Sequence, residues 1–169
     1  FMAFLGLTPF RLVGQVLERF GRLDILVNNA AYAQSTRFHD LTAEEWRRAV
    51  EVNLTAPFLL TKAAVPAMKA QKYGRIVNIS SLAGKTVSTL GGAHYTASKA
   101  GLQGFTRAAA KELGASGITV NAICPGYVDD ERTHENAQIM ADKTGKPLEE
   151  IIDLFAASAA ANIRSRLGP

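Results

Sequence analysis

The chain has 169 residues, enough for one domain with a core of its own, and 47% are hydrophobic and 20% charged, the balance of an ordinary globular protein. The formal charge of +4 comes from lysines and arginines scattered without a basic block, which argues against a nucleic-acid partner. A single cysteine, Cys124, cannot close an intrachain disulfide and points to a reducing, cytoplasmic setting; the apolar opening FMAFLGLTPF has no basic flank and is too short to span a bilayer, so neither secretion nor a membrane is read from it.

The first strand signal is DILVNNA (residues 24–30), a short apolar run rich in β-branched residues. Next, LTAEEWRRAVEVNLTAPFLLTKAAVPAMKAQ opens with Thr42 and Glu45 at capping-box spacing and carries Trp46, Val50 and Leu54 on one helical stripe. Pro57 and Pro66 predict a kink or break in it. GRIVNIS (74–80) is the second strand, TVSTLGGAH reads as loop, and a helix is expected from about Tyr95 to Leu113, ended by Gly114 or Gly117. GITVNAIC (117–124) is the third strand; PGYVDD then turns the chain into helical patterns near 133–143 and 147–161. Strands alternating with long helices predict an α/β fold with a parallel sheet and crossover helices, in a single domain spanning residues 1–169.

Ligands of open parallel sheets bind outside the carboxyl ends of the strands. Those ends carry Asn28 and Asn29, then Ser80 and Ser81, then Pro125 and Gly126. In HYTASK, Tyr95 and Lys99 stand four apart, on one helix face a turn apart. Each feature has a structural reading by itself. A Y-x-x-x-K helix is commonplace, Asn53 can satisfy backbone at a kink, paired serines suit a turn, and strand-end asparagines bond neighbouring backbone. His94 is expected to face away from Tyr95, and His39 and His134 have no ligand-spaced partners, so no metal site is read. Thr144-Gly145-Lys146 is followed by Pro147 and preceded by no strand, which excludes a phosphate loop.

Taken together, NNAA, VNLTAPF, NISSLAG, YTASK and PGYV, in this order and at these separations, resemble the short-chain dehydrogenase/reductase family from about Gly21 to Val128. The resemblance implies a doubly wound, Rossmann-like parallel sheet. It also implies hydride transfer between NAD or NADP and a ketone or secondary alcohol, a 3-oxoacyl thioester leading on family frequency. Tyr95 would be the general acid/base, Lys99 the cation beside it and the holder of the nicotinamide ribose, Ser81 the donor to the substrate oxygen, and Asn53 the holder of a relay water. The cofactor would meet Asn28, Ala30, Ile79, Tyr95, Lys99, Pro125, Gly126 and Val128. Residues 129 to about 163 would form a substrate lid with Ile151, Leu154 and Phe155 as its apolar wall, and the full-length parent would be a homo-oligomer, a dimer or tetramer.

The family's T-G-x-x-x-G-x-G turn does not precede RFGRLDILVNNA, and Gly6, Gly14 and Gly21 lack its spacing. The expectation is therefore a domain truncated at both ends, which alone would hold a nicotinamide dinucleotide weakly and would expose a sheet edge and an apolar face. Ala31 stands where the family often has glycine, and Asp130 where it often has threonine. The alternative is a non-catalytic fragment or interaction protein that oligomerises through its long helices without cofactor turnover.

Overall fold

The computed structural model describes residues 8–86, 91–126, 128 and 131–167; Val87 to Leu90, Asp129 and Asp130 lie outside the described residues. Helix α1 (Pro9–Phe20) was not among the elements expected from the sequence, although its signals are local. Thr8 Oγ1 accepts from the Arg11 N–H, Pro9 occupies the first turn, where an N–H is not needed, and Gly21 closes the helix in the left-handed region. After β1 (Ile25–Asn28), α2 (Ala43–Val50) begins with the expected capping box between Thr42 and Glu45. The Thr42 N–H, then the Thr36 and Thr42 hydroxyls, hold the Glu45 carboxyl below the usual carboxylate range.

The expected kink is a single widened π turn, Glu51–Thr55, between α2 and α3 (Ala56–Gln71). Pro57 accounts for it. It has no N–H to give the Asn53 carbonyl, and its ring would strike that carbonyl in a regular helix. The chain inserts a residue instead, and the Ala56 N–H reaches back to the Glu51 carbonyl. Pro66 lies inside α3 without ending it. β2 (Gly74–Ile79), a 3₁₀ turn (Leu82–Gly84), α4 (Ala93–Leu113), a second 3₁₀ turn (Gly114–Ser116) and β3 (Ile118–Ile123) follow.

The strands form a parallel sheet in the order β1-β2-β3, the Rossmann-like arrangement expected. Ile25 pairs with Arg75 and Arg75 with Thr119, so alternate residues of all three strands share a face. One face meets α1, α3 and α4 in a core built on Val13, Ala64, Met68, Ile76, Ala109, Ile118 and Val120. The other face carries Ile25, Val27 and Ile123, which are 58%, 54% and 53% exposed. Helices α1, α3 and α4 thus pack against one side of the sheet.

The chain divides into two compact units, Phe1–Cys124 and Pro125–Pro169. The second is a helical hairpin of α5 (Glu131–Thr144) and α6 (Leu148–Leu167), with Ala137 and Ala141 packed on Ile151 and Phe155. Ile151 and Phe155, expected to wall a substrate, are spent on this internal core, while Leu154 is half exposed. No described helix is long and apolar enough to cross a membrane.

Two neighbouring glycines give opposite expectations. Gly117 lies at φ 76° and a Cβ there would run into the Lys72 carbonyl, whereas Gly114 lies at φ −56° with open space around it. Gly117→Ala should lower stability by about 2 kcal/mol or more, and Gly114→Ala should leave it unchanged or raise it by about 0.5 kcal/mol. Urea denaturation of the two variants checks both signs.

Candidate active site

Helix α4 presents Tyr95 and Lys99 at its first turns, directly beneath the carboxyl end of β2. Lys99 is only 2% exposed, and its Nζ donates to the carbonyl of Ile79, the last residue of β2, at 2.6 Å. The same Nζ lies 5.8 Å from the centre of the half-buried Tyr95 ring. Burying an ammonium is costly unless oxygen acceptors or a π face compensate, and both are present here. The outcome is a positive charge fixed next to a phenol.

The two serines that follow β2 differ in what they do. Ser80 is buried; its Oγ donates to the Lys99 carbonyl at 2.9 Å and accepts from Gln103 Nε2 at 3.1 Å. Ser81 is half buried and caps the Leu82–Gly84 turn, its Oγ accepting from the Ala83 N–H at 3.1 Å. That bond uses an oxygen lone pair, so the Ser81 O–H proton remains a donor. Ser80 is a structural group and Ser81 a presentable hydroxyl.

Asn53 is buried in the π turn, and its amide is used on every side. Its Oδ1 accepts from the Tyr32 N–H at 2.7 Å, and its Nδ2 donates to the Tyr32 carbonyl at 2.9 Å and to Ser98 Oγ at 3.0 Å. Ser98 Oγ donates in turn to the Tyr95 carbonyl at 2.9 Å. The Asn53 side chain therefore staples the loop after β1 to the first turn of α4. Its backbone carbonyl cannot take a hydrogen bond from Pro57, which has no N–H.

Asn28 turns toward the helical side of the sheet. Its Nδ2 donates to Asn78 Oδ1 at 2.8 Å, Asn78 Nδ2 to Thr106 Oγ1 at 2.9 Å, and Thr106 Oγ1 to the Leu102 carbonyl at 2.7 Å. This buried chain joins β1, β2 and α4. The Asn28 Oδ1 is buried with no partner among the described residues, while Ala30 is exposed just beyond the strand. Ile79 offers its carbonyl to Lys99. Pro125, Gly126 and Val128 belong to the second unit, where the Val128 carbonyl accepts from Thr133 Oγ1 at 2.8 Å.

Asn78, Ser98, Gln103 and Thr106 were not singled out in the sequence. One of them had a signal: the Val-Asn pairs of LVNN and IVNI become register partners, Asn28 opposite Asn78. His94 is fully buried, with its ring 6.1 Å from that of Tyr32.

A family profile described as short chain dehydrogenase matches residues 10–141. The chain is 44% identical over 123 residues to a 3-oxoacyl-(acyl-carrier-protein) reductase of Synechocystis sp., covering 73% of this chain and 49% of that protein. It is 46% identical over 119 residues to an acetoacetyl-CoA reductase of Paracoccus denitrificans, covering 70% of this chain and 49% of that protein. Among solved structures, an NAD+-bound xylitol dehydrogenase superposes with a TM-score of 0.80 at 30% identity, over 89% of this chain and 60% of the other. The chain spans about half the length of the curated relatives it matches.

Asn53→Ala should lower the stability of the chain by about 2–4 kcal/mol, because it strands the Tyr32 N–H and carbonyl and removes the donor to Ser98. An unchanged urea midpoint would show that the staple contributes nothing to the fold.

Proposed function

The chain belongs to the short-chain dehydrogenase family, and on that premise we propose that the full-length protein is an NAD(P)-dependent oxidoreductase acting on a ketone or secondary alcohol. The observation that carries the reading is the buried Lys99 ammonium, held at the carboxyl end of β2 and beside the Tyr95 ring. When bound, the nicotinamide supplies or accepts the hydride.

In the reducing direction, Tyr95 Oη gives its proton to the carbonyl oxygen, and in the oxidising direction it takes the proton from the alcohol. The fixed charge of Lys99 stabilises the phenolate left behind, an interaction strengthened by its burial. Ser81 donates its O–H to the same substrate oxygen and steadies the charge that develops there. Asn53, through its backbone carbonyl, holds the water that returns protons toward Lys99. The Lys99 ammonium, one of whose N–H groups meets the Ile79 carbonyl, suits the ribose hydroxyls of the cofactor, with Asn28, Ala30 and Ile79 at the adjoining strand ends. The orphaned Asn28 Oδ1 supports a polar ligand there.

A 3-oxoacyl thioester is the substrate class we assign, supported by relatives named as 3-oxoacyl-(acyl-carrier-protein) and acetoacetyl-CoA reductases. The free thiol of Cys124 supports a reducing, cytoplasmic location. We assign self-association of the full-length protein to α3 and α4, where exposed Phe58 stacks edge-on against Phe105 at 6.0 Å.

In the full-length protein, Tyr95→Phe should lower kcat for acetoacetyl-CoA by a factor of at least about 10² with the fold intact, because only the proton donor is lost. Lys99→Met should lower both kcat and nicotinamide affinity. Loss of absorbance of NADPH or NADH follows turnover; near-normal turnover by Tyr95→Phe would sink the assignment of the acid.

A further inference from the structure

Tyr95, Lys99 and Gln103 follow one another at intervals of four along α4 and so form one stripe on the helix. Gln103 is polar yet only 7% exposed. Its Nε2 donates to Ser80 Oγ and to the Ser81 carbonyl, both at 3.1 Å. Ser80 Oγ donates to the Lys99 carbonyl at 2.9 Å, and Lys99 Nζ donates to the Ile79 carbonyl at 2.6 Å. Three consecutive residues at the end of β2 are thus each gripped from α4.

The spacing of the turn above this grip is tight. A Cβ added to Gly84 would lie 2.5 Å from Gln103 Nε2 and 2.7 Å from the Lys99 carbonyl carbon, so the Leu82–Gly84 turn rides directly on the helix. With Ser81 capping that turn through the Ala83 N–H, a shift of the turn carries the Ser81 hydroxyl with it.

We propose that Gln103 is a positioning residue that sets the place of the Ser81 hydroxyl relative to Tyr95. The inference rests on the reading of Ser81 as the donor to the substrate oxygen. Without the Gln103 amide, the Ser81 carbonyl loses its donor from α4, and the hydroxyl that must meet a reacting oxygen at hydrogen-bond distance is set by strand and turn alone. A displacement on the order of 1 Å is enough to cost a large rate factor.

The test is a double-mutant cycle in the full-length protein with acetoacetyl-CoA and NADPH or NADH. Gln103→Met keeps the volume and removes both donors. It should lower kcat roughly tenfold and leave KM and nicotinamide affinity within about twofold. In a Ser81→Ala background the same change should cost less than about twofold, since the group it positions is gone. A tenfold cost that persists beside Ser81→Ala, or no cost in either background, would overturn the proposal. Gln103→Glu is the second arm and decides the matter if the methionine variant does not fold. Its carboxyl can donate only when protonated, so the ratio of its kcat to that of the unaltered enzyme should rise as pH falls; a flat ratio would overturn the proposal. Absence of turnover in the folded, unaltered full-length protein would overturn the functional reading and this inference with it. Turnover that Tyr95→Phe abolishes, with additive losses in the cycle, would overturn the positioning role alone.

Discussion

A lysine ammonium that is almost wholly enclosed must be satisfied where it lies, and the site is organised around that requirement. Lys99 finds the carbonyl at the last position of β2, so the register between helix and strand is set by an ionic hydrogen bond as well as by apolar packing. Sliding α4 by one residue would take the ammonium away from the Ile79 carbonyl. The same bond places the charge a few ångströms from the Tyr95 ring. One electrostatic constraint therefore serves both to fix α4 on the sheet and to set the field in which a phenol would exchange its proton.

The polar groups nearby extend that constraint rather than compete with it. Asn53 joins the loop after β1 to Ser98, which precedes Lys99 in the chain, and Asn28, Asn78 and Thr106 run a second line of amides from strand to helix. Each buried amide finds a protein partner on another element, as buried polar groups must if they are not to weaken the fold. The π turn is part of this economy. Pro57 denies the Asn53 carbonyl its usual donor, and in the widened turn the asparagine side chain bonds Tyr32.

Strands and the long helices were legible because their signals are local: β-branched runs between turn residues, a capping box at Thr42 and Glu45, a glycine after Leu113. Helix α1 was equally legible from Thr8, Pro9 and Gly21, and from Leu12, Val13, Val16, Leu17 and Phe20 at helical spacing. Tyr95, Lys99, Ser81 and Asn53 stood out through motif order. The supporting groups did not, because Ser98, Gln103 and Thr106 look like ordinary helix residues until the register of α4 on β2 is known. The apolar wall expected at Ile151 and Phe155 shows the opposite error. Their periodicity marked a buried face, but only the fold shows that the partner is α5.

The period of two along a strand ties the site to the exposed face of the sheet. With Asn28 and Asn78 facing the helices, the same register sends Ile25, Val27, Ile79 and Ile123 to the other side. Parallel sheets are stable when both faces are covered, so this face calls for a second layer. Yet Tyr95, Lys99, Ser80, Ser81, Gln103 and Asn53 are bonded to one another and to strand ends without using any residue of that face as a side-chain partner. The hydrogen-bond network around Lys99 is thus built within one layer. Cover for that face would add stability without altering these hydrogen bonds.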